Sequence, residues 1–159
     1  MREKTCFFTG HRQISSTDQY KAASGTRAAI KEMIKNGVTR FISGGAVGYD
    51  QMAADIVLSL KKEEPGIELL VYLPCRDYAA FWNERDLERI RHIIKNADEI
   101  RYITEESLKD SMRLRNQAMV IDAAYGIAWF KNRPGGTMQT LAMAKKMDCR
   151  VINTAKEIW

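Results

Sequence analysis

Short apolar runs alternate with longer amphipathic stretches along the whole chain. Where apolar and β-branched residues cluster between turn signals, the pattern predicts strands at residues 5–9, 39–43, 67–73, 99–103, 125–130 and 150–153. Apolar residues that recur at helical spacing predict helices over residues 18–35, 50–62, 82–96, 108–121 and 137–147. Several of these elements end at turn-forming residues such as Gly10, Gly37 and Pro74.

Strict alternation of strands with helices of ten or more residues indicates βαβ units, whose strands pair in parallel. Because such crossovers are right-handed, the predicted fold class is α/β: a Rossmann-like, doubly wound, mainly parallel sheet in three layers. No linker or low-complexity tract interrupts the pattern. The sequence therefore predicts one domain over residues 1–159.

Composition narrows the class of protein. The 159 residues are 45% hydrophobic and 28% charged, which is typical of a globular chain. No apolar run approaches the roughly 18 residues that span a bilayer, and the apolar stretch near the N-terminus is too short for a signal peptide. We expect a cytoplasmic protein with no membrane partner.

The net charge and the cysteine spacing indicate which kinds of ligand and site the chain can have. The net charge of +5 favours phosphate-bearing partners, but no block of like charges forms a polybasic tail. Cys6, Cys75 and Cys149 are too widely spaced for a metal knuckle or a disulfide framework, and there are only two histidines. We expect no metal site. No Ser-His-Asp or Cys-His arrangement identifies a reaction.

Three glycine-marked turns follow predicted strands, at the edge where open parallel sheets bind ligands. In the first, Gly10 permits a tight turn beside a ligand, and the guanidinium of Arg12 suits a phosphate or carboxylate. A plain surface turn with a solvated arginine is the alternative.

The second turn covers residues 43–50 and leads from a strand into a helix. Glycines there let a phosphate approach the free N–H groups of the helix start. The segment is neither G-x-G-x-x-G nor a Walker A motif. The candidate residues are Ser43, Gly44, Gly45, Gly48 and Asp50. Alternatively, the glycines only allow close strand–helix packing, with Asp50 as a helix cap.

The third turn contains Gly135, Gly136 and Thr137, and it opens the last predicted helix. Thr137 is a candidate N-cap whose hydroxyl is equally suited to a phosphate. We expect the second and third turns to converge on one crevice and hold an anionic group between them.

Side chains elsewhere are candidates for the same edge. Trp82 follows the third predicted strand and could stack on a purine, unless it forms a hydrophobic staple with Phe81. Arg115 and Asn116 are adjacent in a predicted helix, so they point in different directions, and a solvated face is the alternative to ligand binding.

Together these motifs resemble a known family. Residues 8–12, 41–50, Trp82, residues 115–120 and residues 135–137 occur in the order seen in the SLOG superfamily. The chain most resembles its YpsA-like branch of small bacterial proteins. The resemblance implies a Rossmann-like fold and a site for a nucleotide or nucleotide-derived ligand.

Two other SLOG proteins imply competing functions. The DNA-processing protein DprA, which binds single-stranded DNA, has a segment similar to residues 43–50. The LOG phosphoribohydrolases cleave nucleoside monophosphates with segments similar to residues 115–119 and 134–137. Here Asn116 replaces their lysine, and Gln139 and Thr140 replace their glutamates. Cleavage develops positive charge on the ribose, so it would need another carboxylate, such as Asp50 or Asp122.

The sequence thus supports a leading hypothesis and two alternatives. The leading one is a sensing or regulatory domain that binds a nucleotide or a nucleotide-derived ligand such as ADP-ribose or an NAD-like molecule. Phosphates would lie against Gly44, Gly45 and Gly136, with the Thr137 hydroxyl and Arg12 or Arg115 adding contacts and Trp82 stacking. The alternatives are a nucleotide N-glycosidase and a DprA-like binder of single-stranded DNA. Self-association stays open.

Overall fold

The computed structural model describes residues 1–156 and contains one all-parallel sheet flanked by helices. The strands are β1 (Thr5–Gly10), β2 (Arg40–Ser43), β3 (Glu68–Leu73), β4 (Glu99–Tyr102), β5 (Tyr125–Trp129) and β6 (Arg150–Asn153). The helices are α1 (Gln19–Lys35), α2 (Tyr49–Leu60), α3 (Glu84–Asn96), α4 (Ser111–Ile121) and α5 (Gly136–Lys146). A short 3-10 turn, Arg2–Lys4, precedes β1.

The strand order is β4-β3-β2-β1-β5-β6. The chain therefore builds outward from β1 to β4, returns through α4, and adds β5 and β6 on the other side of β1. Connections leave β1 and β5 in opposite directions, so a crevice forms beyond their carboxyl ends. The pairing of Gly10 with Trp129 aligns those two ends.

Side chains that alternate along the strands create two separate cores. On one face, Phe8, Phe41 and Leu69 pack with α1, α2 and α3. On the other face, Phe7, Ile42 and Leu70 pack with residues of α4 and α5. The result is the predicted three-layer α/β fold, and the prediction of a Rossmann-like, parallel sheet is confirmed.

Every predicted strand and helix is present, with ends shifted by at most three residues. The largest shift is at α4, which begins at Ser111 rather than at residue 108. Its preceding loop is held by the Ser111 hydroxyl, which accepts the N–H of Leu108 at 2.9 Å and contacts the Thr104 hydroxyl at 2.9 Å. Among residues 1–156, no helix has the length and apolar character needed to cross a bilayer.

Candidate functional site

A cleft of about 420 Å³ opens at the carboxyl edge of the sheet, at the crevice between β1 and β5. It is bounded by the β1–α1 loop, the β2–α2 loop, one face of α4, and the start of α5. The lining residues are Thr9, Gly10, His11, Arg12, Ala46, Asp50, Met112, Arg113, Arg115, Asn116, Met119, Pro134, Gly135, Gly136, Thr137 and Gln139. The second and third glycine turns thus reach the same cleft, the second through Ala46 and Asp50.

The glycines of the β2–α2 loop itself serve close packing. Gly45 is buried, and a Cβ there would lie 2.8 Å from Leu73 and 3.0 Å from Ile90. Gly48 has φ +94°, and a Cβ there would overlap the main-chain carbonyl of Arg12. Neither residue lines the cleft. The structure therefore supports the packing alternative for these two positions.

Gly10 and Gly44 are tightly enclosed as well. A Cβ at Gly10 would overlap the ring of Tyr49, although Gly10 also lines the cleft. A Cβ at Gly44 would lie 2.6 Å from a guanidinium nitrogen of Arg115 and 2.7 Å from a carboxylate oxygen of Asp50. Gly44 therefore lies next to Arg115 and Asp50, two charged residues that line the cleft.

Ser43 fixes the shape of the β2–α2 loop from inside. Its buried hydroxyl donates to the carbonyl of Asp50 at 2.8 Å and accepts the N–H of Gly45 at 3.2 Å. The amide nitrogen of Gln51 donates to the carbonyl of Gly45 at 3.3 Å. These bonds use the polar groups that a ligand would otherwise meet, so Ser43 is placed in the loop rather than in the cleft.

Arg115 crosses from α4 to the ends of β2 and β3. Its side chain is buried, and one guanidinium nitrogen donates to the carbonyl of Gly44 and, at 3.4 Å, to the carbonyl of Tyr72. Its Nε donates to the side-chain oxygen of Asn116 at 2.8 Å. The alternative of a solvated face is therefore wrong at Arg115, whose side chain connects the β2–α2 loop to the opposite layer and lines the cleft.

Asp50 is the one carboxylate among the lining residues in the described chain. Burial raises its pKa from 3.8 to about 6, against the opposing effects of the positive charge of Arg115, the N–H of Ala46 and the charge of Arg12. The Ala46 N–H lies 3.4 Å from its Oδ2. At neutral pH the group is mainly ionised, because the pH exceeds its pKa by about one unit.

His11 joins the two loops that flank the cleft. Its Nε2 accepts the main-chain N–H of Lys131 at 2.9 Å, and its ring lies 5.6 Å from that of Phe130. Burial, and then the charge of Arg133, lower the pKa of the imidazole below its ordinary value. His11 is consequently neutral at physiological pH.

The start of α5 contrasts with the packed β2–α2 loop. Gly135 has φ +137°, and a Cβ there would have no atom within 4 Å. Gly135 and Gly136 are exposed, and Gly135 rather than Thr137 is the N-cap residue, without a side-chain cap. Gly135, Gly136 and Thr137 all line the cleft, so the start of α5, whose first N–H groups have no partner within the helix, borders it. A helix start in such a place attracts anions.

Trp82 and Asp122 lie away from the lining residues. Trp82 packs edge-on against Tyr78, with ring centroids 5.1 Å apart, and joins the core, whereas its neighbour Phe81 is fully exposed. Asp122 accepts the Tyr72 hydroxyl at 2.6 Å and the guanidinium of Arg101 at 2.8 Å. Burial is the main cause that raises the pKa of Tyr72 to about 12. Asp122 is thus committed to an ion pair outside the cleft.

The positions that carry glutamates in LOG proteins hold no charge here. Gln139 lines the cleft, and the buried Thr140 hydroxyl donates to the carbonyl of Gly136 at 2.8 Å. Within residues 1–156, no group of three potential metal ligands is found. Of the residues that line the cleft, Asp50 and His11 carry the side chains able to gain or lose a proton near neutral pH.

Sequence reasoning missed part of the α4 wall. Met112, Arg115, Asn116 and Met119 all line the cleft, and their spacing of three, four and seven residues places them on one helix face. That spacing is visible in the sequence. It indicates that these four residues share one face of α4. That this face borders a cleft follows only from the sheet topology.

Comparison with known proteins places the chain among uncharacterised bacterial proteins. A protein of the UPF0398 group from Halalkalibacterium halodurans is 28% identical over 120 residues, which is 74% of this chain and 64% of the relative. The uncharacterised SPbeta prophage-derived protein YoqJ of Bacillus subtilis is 30% identical over 132 residues, or 75% of this chain and 77% of YoqJ. The chain spans about half to two thirds of the length of the first curated relatives it matches.

Solved structures show the same fold in DNA-processing proteins. DprA from Helicobacter pylori, described for its single-stranded DNA binding mode, superposes with a TM-score of 0.68 at 20% identity, over 94% of this chain and 64% of that one. DprA from Streptococcus pneumoniae gives 0.64 at 18% identity, over 92% and 48%. The model of the YspA SLOG family matches residues 17–154. The motif resemblance is thereby confirmed, and the chain belongs to the YspA SLOG family.

Proposed function

We propose that the cleft binds the phosphate of a nucleotide or nucleotide-derived ligand, with binding rather than turnover as the output. One observation carries this proposal: Arg12 and Arg113 line the same cleft as the open start of α5. Guanidinium groups and free helical N–H groups are the two protein features best suited to phosphate oxygens.

The size and charge of the cleft agree with such a ligand. Its volume of about 420 Å³ lies within the range of roughly 300–1,000 Å³ typical of small-molecule sites. Three arginines line it, against the single carboxylate of Asp50. Because Arg115 is occupied by buried main-chain carbonyls, Arg12 and Arg113 are the side chains proposed to contact the phosphate. Arg113 also pairs with Asp110 at 3.7 Å, but both side chains of that pair are exposed, so a phosphate can compete for the guanidinium.

Calorimetric titration tests the proposal with adenosine monophosphate, ADP-ribose and NAD. We expect binding of at least one of them, and a loss of about tenfold to a hundredfold in affinity for Arg113→Gln, since one charge-assisted hydrogen bond contributes roughly 1.5–3 kcal/mol. Arg150→Gln is the matched control, because it removes the same charge at the amino end of β6. Absence of binding at millimolar concentration would contradict the proposal.

A nucleic acid strand is the second candidate ligand. It is favoured by the likeness to the Helicobacter pylori DprA structure, described for single-stranded DNA binding, and by the net charge of +5. Fluorescence anisotropy of a labelled oligothymidylate across a salt series separates the candidates. Affinity for a strand should fall steeply with salt, whereas a response flat in salt would exclude phosphate-driven strand binding.

Hydrolysis of a nucleotide is tested at Asp50, the carboxylate that lines the cleft. Under the binding proposal, incubation with nucleoside monophosphates and NAD releases no free base detectable by chromatography. Base released by the wild type and not by Asp50→Asn would instead establish an N-glycosidase, with Asp50 as its carboxylate.

A further inference from the structure

A second cavity, of about 620 Å³, adjoins the cleft. Its lining residues are Gln13, Ile14, Ser15, Asp18, Trp129, Lys131 and Arg133. Arg12 lines the cleft and Gln13 the second cavity, while Pro134 lines the cleft and Arg133 the second cavity. In the β1–α1 loop and in the β5–α5 loop, consecutive residues therefore line different cavities, so the two cavities lie side by side.

Hydrogen bonds of His11 connect the residues that line the two cavities. Its Nε2 accepts the N–H of Lys131, and the N–H of His11 donates to the carbonyl of Trp129 at 3.3 Å. Arg133 is near enough for its charge to help lower the pKa of His11. His11 lines the cleft and Arg133 lines the second cavity, so the two residues lie on either side of the boundary between the two spaces.

Charge in the second cavity resides chiefly on Arg133. Lys131 is paired with Asp18 at 3.0 Å, whereas the guanidinium of Arg133 makes one long hydrogen bond, of 3.5 Å, to the carbonyl of Gln13. Trp129 lies behind the second cavity, where its side chain is buried in the core and its ring centroid is 5.9 Å from the Lys131 ammonium. Its buried indole N–H has no hydrogen-bond partner in the described chain.

We infer that the second cavity is a second nucleotide subsite, which favours the strand over a single nucleotide among the candidate ligands of the cleft: a single-stranded oligonucleotide at least two units long. The inference rests on the proposed function of the cleft. A strand carries one phosphate per nucleotide, which matches a site with arginines in both cavities. A dinucleotide cofactor concentrates both phosphates at its centre and leaves the second cavity's cation without a phosphate.

The test compares the affinities of thymidine monophosphate, 5′-phosphorylated dithymidylate and NAD for the full chain by calorimetry. The dinucleotide should bind at least tenfold more tightly than the mononucleotide. Arg133→Gln should remove most of that gain and leave the mononucleotide affinity within twofold. Arg133→Lys should retain part of the gain, because it keeps the charge and loses the two-pronged geometry.

Controls separate this inference from the function of the cleft. Arg150→Gln changes the net charge equally and should alter none of the three affinities by more than twofold. Equal affinities for mononucleotide and dinucleotide, or equal effects of Arg133→Gln and Arg150→Gln, would overturn the second subsite and leave the cleft proposal standing. NAD bound as tightly as dithymidylate, with the same loss on Arg133→Gln, would overturn the strand. Failure of all three ligands to bind would overturn both proposals.

Discussion

The two glycine-rich helix starts of this protein, one before α2 and one before α5, look alike in sequence and differ in structure. The α2 start is enclosed: Cβ atoms at Gly44, Gly45 and Gly48 would each collide with a neighbour. The α5 start is open, since Gly135 has nothing within 4 Å of such an atom. The same residue type thus serves close packing in one loop and backbone access in the other.

This difference assigns separate tasks to the two loops. The α2 start is a rigid floor, held by Ser43, Gln51 and Arg115 through buried hydrogen bonds. The α5 start borders the same cleft through the exposed residues Gly135 and Gly136. Substitutions in the floor should therefore alter the free energy of unfolding, and substitutions in the open loop should alter ligand affinity.

The largest effect is expected for Gly48→Ala. Its positive φ and the overlap with the carbonyl of Arg12 should together lower the free energy of unfolding by about 4 kcal/mol. Gly37→Ala is the matched control, because Gly37 has φ +92° with nothing within 4 Å, and should cost about 1 kcal/mol. Urea unfolding measures both, and equal losses would show that packing at Gly48 is not limiting.

A change in pH should alter the free energy of unfolding by an intermediate amount, through Asp50 in the enclosed loop. Because burial raises the pKa of Asp50 to about 6, its contribution to stability is full below pH 3.8 and is lost as the pH rises through 6. The loss should be about 2–3 kcal/mol between pH 4 and 7. The pKa of His11 is lowered, so this residue acts oppositely and destabilises the protein as the pH falls below 6.5.

Asp50→Asn isolates the carboxylate, since His11 titrates in both proteins. Measured by thermal or urea unfolding, the stability of the wild type relative to that of Asp50→Asn should fall by about 2–3 kcal/mol as the pH rises from 4 to 7. Parallel profiles would mean that Asp50 titrates near its ordinary pKa, and the loop would then be more hydrated than its geometry indicates.

The smallest effect on stability is expected for Gly135→Ala. A side chain meets no neighbour there, and only the backbone strain at φ +137° remains, so unfolding should change by about 1 kcal/mol. If the open loop binds phosphate, nucleotide affinity should nevertheless fall several-fold, because the strained turn displaces the N–H groups of Gly136 and Thr137. Unchanged affinity in calorimetry would remove this loop from the binding site.

The fold could be predicted from sequence because its signals are local. Helical spacing and turn residues lie within each element, so the ends of strands and helices were predicted to within three residues. The order of the strands follows from right-handed crossovers only up to the point where the chain reverses. At that reversal α4 carries the chain back to the other side of β1, and it depends on which face of the sheet the earlier helices leave uncovered.

The site was harder to predict because its determinants are distant in sequence. The reason for a glycine at position 10 is the ring of Tyr49, and the reason at position 48 is the backbone of Arg12. Arg115 reads as a surface arginine until Gly44 and Tyr72 supply its carbonyl partners. The convergence of both loops on one cleft agrees with the expectation, whereas the ligand contacts assigned to individual residues stay predictions.

The bond between the Lys131 N–H and His11 Nε2 has a consequence for selectivity. A main-chain N–H can only donate, so Nε2 must be the unprotonated nitrogen of the neutral imidazole. The ring therefore carries its proton on Nδ1 and keeps a single tautomer. The ring nitrogen left for a visiting molecule is then a donor. His11 should therefore favour ligands that place a phosphoryl or carbonyl oxygen beside it over ligands that place an amine there, independently of the arginines.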